Sequence, residues 1–257
     1  MNRIDRLFIE KQKNILSVYF TAGYPRLDDT VTVIEELSGQ GAEMIEIGIP
    51  FSDPMADGPV IQQSGAVALS NGMTLRKLFG QLKDIRKRTD IPLVMMGYLN
   101  PILQYGIEAF CRDCAAEGID GLIIPDLPFA DYLETVKPVT EKYGLHCIML
   151  VTPETSEERI RLIDAHTSGF IYLVSTASTT GAQASFNEKT TEYFSRIAAM
   201  KLKNPLLIGF GISNKATFST ACRYASGAIV GSAFVRLLGE KKSVGEGVGA
   251  LMERLEK

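Results

Sequence analysis

MIEIGIPFSDPMADGP, from Met44 to Pro59, is the stretch from which the rest of the chain can be read. Its first six residues have the pattern of a strand, in which successive side chains point to opposite faces. Ile45, Ile47 and Ile49 form one face, apolar and β-branched. Met44, Glu46 and Gly48 form the other, so one carboxylate interrupts an otherwise apolar segment. If the sheet is covered on both faces, Glu46 is buried, and burial raises a carboxyl pKa. That suits a group that must both give and take a proton near neutral pH. The loop PFSDPMADGP then places Asp53 and Asp57 among prolines that stiffen it. Three acids around the C-terminal end of one strand read as an active site. A surface turn with a stray core glutamate is the plainer alternative.

Outward from this stretch, apolar runs alternate with helical patterns. Strands are expected at 15–21, 44–49, 92–96, 121–124, 146–151, 170–174, 206–210 and 228–230. Helices are expected at 27–40, 60–70, 74–88, 102–117, 130–143, 156–166, 187–200 and 214–224, with a short helix from Ser232 and a last one to the C-terminus. The N-terminal MNRIDRLFIEKQ has the pattern of a short amphipathic helix, with Ile4, Leu7 and Phe8 on one side. Eight β–α pairs in 257 residues predict a single (β/α)8 barrel domain spanning 1–257, with an extra N-terminal helix and inserted helices after strands two and eight. The strands are rich in Ile, Val and Leu, as buried parallel strands are. A doubly wound open sheet is the competing fold. It calls for a glycine-rich dinucleotide turn after the first strand, and FTAGYP is not one.

Composition narrows the chemistry. A net charge of −3, with mixed charges along the chain, advertises no polyanion-binding face. No apolar run reaches the ~18 residues of a membrane span, and the N-terminal segment has no apolar signal core, so the expected location is the cytoplasm. Two histidines, His146 and His166, are too few for a metal site built on several of them. Cys111 and Cys114 form a C-x-x-C pair inside an expected helix, without the second pair or helix start that zinc or redox chemistry wants. No lysine falls in any expected strand, against a Schiff-base aldolase. In a barrel the chemistry sits at the C-terminal strand ends. There, Gly211, Gly231 and Ser232, with Thr180 and Gly181 from the loop after strand six, suit a phosphate held by backbone N–H groups. The same glycines also fit simple tight turns. What remains is metal-free acid–base chemistry by carboxylates on a phosphorylated small molecule.

EIGIPFSDPMADGP, followed in order by MGYLNPI, IPDLP, YLVSTASTTGA, GFGIS and IVGSA, resembles the α subunits of tryptophan synthase over almost the whole chain. The resemblance implies a β/α barrel that cleaves indole-3-glycerol phosphate to indole and glyceraldehyde 3-phosphate. It implies Glu46 and Asp57 as the catalytic carboxylates. Tyr19, Tyr98 and Tyr172 correspond to the family's substrate-contacting aromatics, and Thr180, Gly181, Gly211, Gly231 and Ser232 to its phosphate-binding residues. It also implies a partner, a β subunit that joins indole to serine in an αββα heterotetramer. Pyridoxal phosphate belongs to that partner, leaving this chain without a cofactor or metal. The β-subunit contact falls on Pro54–Asp57, Asn100–Tyr105 and Asp126–Phe129, with Met55, Pro128 and Phe129 expected to expose apolar surface. Many members of the family carry an arginine and a glycine in the lid loop where this chain has Thr176 and Ser178. A stand-alone barrel lyase or isomerase is the rival enzyme reading. A non-catalytic activator of a β subunit is the rival outside catalysis, and the intact Glu46 and Asp57 argue against it.

Overall fold

Residues 1–175 and 185–256 are described by the structure, a computed structural model. Eight parallel strands, β1 (Ile15–Thr21), β2 (Met44–Gly48), β3 (Leu93–Met96), β4 (Gly121–Ile123), β5 (His146–Val151), β6 (Ile171–Val174), β7 (Leu206–Gly209) and β8 (Gly227–Val230), pair in sequence order and close on themselves. The fold is the expected (β/α)8 barrel. Its strands sort the apolar residues into two cores, as their alternation requires. Leu16, Val18, Phe20, Ile45 and Ile47 face outward and join the helices in a large buried layer. Ile15, Met44, Val94, Ile123, Ile148, Phe170, Tyr172, Leu207 and Ile229 fill the interior.

The N-terminal helix Arg3–Glu10 is the plug of that interior. Asn2 caps it by accepting from the Ile4 N–H at 2.9 Å. Ile4 is fully buried among the interior residues, with Leu7 and Phe8 packed beside it and Phe8 6.0 Å from the Phe170 ring. Arg3 ties the helix to Asp90 and Asp120 at 2.8 and 3.1 Å.

Three helices depart from expectation by more than a residue or two at an end. The helix after the β2 insertion runs Leu75–Leu82, with Thr74 as its N-cap, and stops before Asp84, which is left-handed at φ 64°. Leaving the helix there lets Arg86 reach the carbonyls of Gly118 and Ile91 and the carboxylate of Asp120. The helix expected at 102–117 is two, Leu99–Tyr105 and Ile107–Ala116, split at Gly106, whose φ of 93° a residue with a Cβ resists. The helix after β4 begins at Phe129 and widens into a π turn at Tyr132–Val136, just ahead of Pro138. Proline has no N–H and crowds the carbonyl four residues back, so a regular ladder cannot pass through. The inserted helices after β2 and β8 are Pro59–Ser70 and the pair Ser232–Glu240 and Val244–Leu255. Among the described residues no helix is long and apolar enough to cross a membrane.

Candidate active site

β1 and β2 build the floor of the site. Their register sets Tyr19 beside Glu46, both pointing inward. Glu46 has no solvent exposure. Its Oε1 accepts one hydrogen bond, from the Ser17 hydroxyl at 2.9 Å. Its Oε2 is buried with no hydrogen-bond partner among the described residues. Burial pushes this carboxyl up from an ordinary 4.5 to about 8, and the Ser17 hydrogen bond pulls the other way. At neutral pH Glu46 is therefore mostly protonated.

Asp57 hangs from the loop after β2. The turn is held by the Asp57 N–H on the Pro54 carbonyl at 3.1 Å and by Gln62 on the Asp57 carbonyl at 2.8 Å. Tyr98, just past β3, donates its hydroxyl to Asp57 Oδ2 at 3.0 Å while accepting from the Ala56 N–H at 3.0 Å. Burial raises Asp57 to about 6, and the Tyr98 hydroxyl opposes that rise. Asp57 is mostly ionised at neutral pH, so the two acids sit in opposite protonation states. Pairs of carboxyls driven apart in this way are how one site holds an acid and an anion together. Asp53, the third acid of the stretch, is exposed and belongs to the surface.

Tyr19 and Tyr172 lean over glycines on the next strand. A Cβ on Gly48 would lie 2.2 Å from the Tyr19 hydroxyl oxygen, and a Cβ on Gly209 2.2 Å from that of Tyr172. Neither phenol fits without those glycines. Burial and the nearby acids raise both hydroxyls, which stay protonated. Above them opens a cavity lined by Tyr19, Asp57, Ile61, Met96, Tyr172, Phe210, Gly211, Ile212, Ile229, Gly231, Ser232 and Ala233. One wall is the start of the helix Ser232–Glu240, whose first N–H groups have no carbonyl within the helix. The Ser232 hydroxyl beside them is buried with no hydrogen-bond partner among the described residues. Unmet donors at a helix start favour an anion.

The family model described as tryptophan synthase alpha chain matches residues 7–255. The chain belongs to the tryptophan synthase alpha chain family. It is 60% identical to the tryptophan synthase alpha chain of Parabacteroides distasonis over 256 residues, covering all of both chains. It is 64% identical to that of Phocaeicola vulgatus over 241 residues, 94% of this chain and 93% of that one. Among solved structures it resembles the alpha chain from Legionella pneumophila subsp. pneumophila, with a TM-score of 0.88 and 35% identity over 99% of this chain and 96% of that one. It also resembles a chain of tryptophan synthase from M. tuberculosis in the aminoacrylate-bound form, with a TM-score of 0.86 and 31% identity over 99% and 98%.

Of the ten site residues that the alpha-chain resemblance singles out, Tyr19, Asp57, Tyr172, Gly211, Gly231 and Ser232 line one cavity. Tyr98 joins them through Asp57, and Glu46 lies next to Tyr19 without lining the cavity itself. Thr180 and Gly181, with Thr176 and Ser178, lie outside the described residues. Sequence reasoning assigned no role to Ser17 or Phe210. Ser17 is a polar residue in register with the inward face of ILSVYFT, two before Tyr19, and that spacing was its signal. Phe210 is left-handed at φ 67°, which no pattern announces, and turns its ring edge-on to Tyr172 at 6.1 Å.

One surface expectation is corrected. Met55 is 90% exposed and Pro128 is exposed, but Phe129 is buried, with the Arg159 guanidinium 4.2 Å from its ring centroid and Tyr132 packed alongside. An aromatic opening a helix turns inward when that helix has a core to meet. The C-x-x-C pair is buried on Ile107–Ala116, where burial pushes the Cys111 thiol up to about 12. His146 bonds Asp5 and Ser168, at 2.8 and 2.6 Å, at the closed end of the barrel. Among the described residues no three His, Cys, Asp or Glu side chains cluster to hold a metal.

Proposed function

We propose that this chain is a carbon–carbon lyase, the subunit that cleaves indole-3-glycerol phosphate to indole and D-glyceraldehyde 3-phosphate by a retro-aldol reaction. One observation carries the reading: a fully buried glutamic acid with one serine partner, raised to about 8, beside a cavity that holds a second acid mostly ionised. Glu46 gives its proton to indole C3. The C2–N bond becomes an iminium, and the ring is then an electron sink. Asp57 accepts the indole N–H and offsets the charge that builds there. The carboxylate of Glu46 takes the proton of the side-chain hydroxyl adjacent to the bond. That bond's electron pair returns to the ring, the aldehyde forms, and Glu46 ends protonated as it began. Tyr19, Tyr172 and Phe210 supply a flat apolar slot for indole, and Tyr98 holds Asp57. Gly211, Gly231 and Ser232 bind the phosphate, joined by Thr180 and Gly181.

The partner in this reading is the tryptophan synthase β subunit, assembled as αββα. It receives indole and joins it to serine, and it carries the pyridoxal phosphate, so this chain needs no cofactor of its own. Exposed Met55 and Pro128, with Leu103 at 51% exposure, offer apolar surface beside the mouth for that contact. The pair works in the cytoplasm. The test is indole release from indole-3-glycerol phosphate with and without an added β subunit. Slow release alone that rises strongly with the partner is the expected result. Fast release that ignores the partner means a stand-alone lyase, and no release in either case overturns the roles of Glu46 and Asp57.

A further inference from the structure

Ser17 stands two residues before Tyr19 on β1, fully buried, at the level of Met44 in the register. Its surroundings make it unusual. The interior residues around this level, Ile15, Met44, Val94, Ile123 and Ile148, offer no polar side-chain atom. Among the described residues its hydroxyl has one hydrogen-bond partner, Glu46 Oε1 at 2.9 Å, and that is also the single hydrogen bond of the Glu46 side chain. A buried hydroxyl with nothing but apolar neighbours costs stability unless it is used. This one is spent on the acid.

We propose that Ser17 is a positioning residue for Glu46: its hydroxyl pins Oε1 and so leaves Oε2 as the oxygen that gives and takes the proton. The inference rests on the reading of Glu46 as the acid of a retro-aldol lyase. A carboxyl turns freely about its terminal bond unless one oxygen is fixed. A hydroxyl can donate to Oε1 in either protonation state, so the tether survives the whole proton cycle. It also binds the ionised form more tightly than the neutral one, which limits how far burial raises the group.

Two variants separate the hydroxyl from the space it fills. Ser17→Ala removes the donor and the volume. Ser17→Cys keeps the volume and leaves a weak donor. Both are measured as the full chain with β subunit, for kcat, KM and the alkaline limb of kcat/KM. In both, kcat falls roughly tenfold with KM little changed, as a loosened catalytic group predicts. The alkaline limb moves up by about one unit, because the lost hydrogen bond had favoured the anion. The Glu46 titration itself, followed by infrared difference spectroscopy against Glu46→Gln, moves in the same direction without any need for turnover. A merely packing role leaves Ser17→Cys with the wild-type rate, limb and titration, and that result overturns the proposal. A wild-type chain that releases no indole overturns the reaction instead, and the infrared titration still decides what Ser17 does.

Discussion

Glu46 and Asp120 are both carboxylates buried at the barrel strands, and their surroundings are opposite. Asp120, just before β4 at the closed end, has Oδ1 on Arg3 at 3.1 Å and Oδ2 on Arg86 at 2.7 Å, and it accepts the Leu93 N–H at 3.0 Å. Arg86 is in turn held by the carbonyls of Gly118 and Ile91. Glu46, deeper still, meets one serine. A buried acid that is fully paired ties elements together: here the N-terminal plug, the turn after Leu75–Leu82 and the entry to β4. A buried acid left nearly unpaired is held in its neutral form and is ready to give up a proton. One barrel end is built for cohesion and the other for chemistry, and the pairing of the carboxylate tells which is which.

The sharpest way to break that contrast is to remove the proton from one acid and the pairing from the other. Glu46→Gln keeps the shape and an oxygen for Ser17 to donate to, but it cannot cycle a proton. Its kcat for indole release falls by about 10³-fold or more. Its urea midpoint at neutral pH is unchanged or higher, since a neutral amide replaces a group that resists ionising. Retained turnover ends the acid's role. Asp57→Asn removes the charge that, in the proposed reaction, faces the developing iminium, and kcat is expected to fall by about 10²-fold. Substrate affinity falls less, because the Tyr98 contact and the cavity walls stay. Asp120→Ala is the mirror experiment. It leaves Arg86 beside the core without its carboxylate and costs about 3 kcal/mol in urea unfolding. Per folded molecule, its kcat stays within about twofold of wild type, because Asp120 shares no hydrogen-bond partner with Glu46 or Asp57. A loss of activity at constant stability would erase the division between the two ends.

Much of this was legible from residues alone. Alternation in Met44–Gly48 set Glu46 on the face opposite the isoleucines, which the closed barrel turns inward, and the barrel count followed from eight apolar runs. The amphipathic pattern of the first helix put Ile4, Leu7 and Phe8 on one side, and they plug the barrel. What stayed hidden depends on partners distant in sequence. Ser17 is 29 residues from Glu46, and Arg86 is 34 from Asp120, so neither pair has a local signature. The break before Asp84 exists to deliver Arg86, and a helical pattern through Arg88 cannot show it. Phe129 was expected at the surface because the resemblance sets the partner contact on its turn, but Tyr132 one helical turn on packs against it and Arg159, 30 residues away, covers its ring.

The smallest effect reads the contrast in stability instead of rate. Glu46 is raised from 4.5 to about 8 in the fold, and Asp57 from 3.8 to about 6. Between those values the folded chain holds a proton that the unfolded chain has already lost. Stability therefore changes with pH with a negative slope: it is fully present below about pH 4 and is lost as pH climbs toward 8, by up to about 1.4 kcal/mol per pH unit for each proton. Asp57 contributes only up to about 6, and from there to 8 the slope belongs to Glu46. Glu46→Gln removes the whole Glu46 share and leaves that of Asp57. The gap in unfolding free energy between Glu46→Gln and wild type should then widen from about pH 4.5 to pH 8 and be flat above it. Asp120→Ala should keep the wild-type slope across the same window, displaced to lower stability throughout. If the Glu46→Gln gap is constant with pH, Glu46 ionises in the barrel as it does in water. It would then need a partner as strong as the arginines of Asp120, and a single serine hydroxyl cannot supply that.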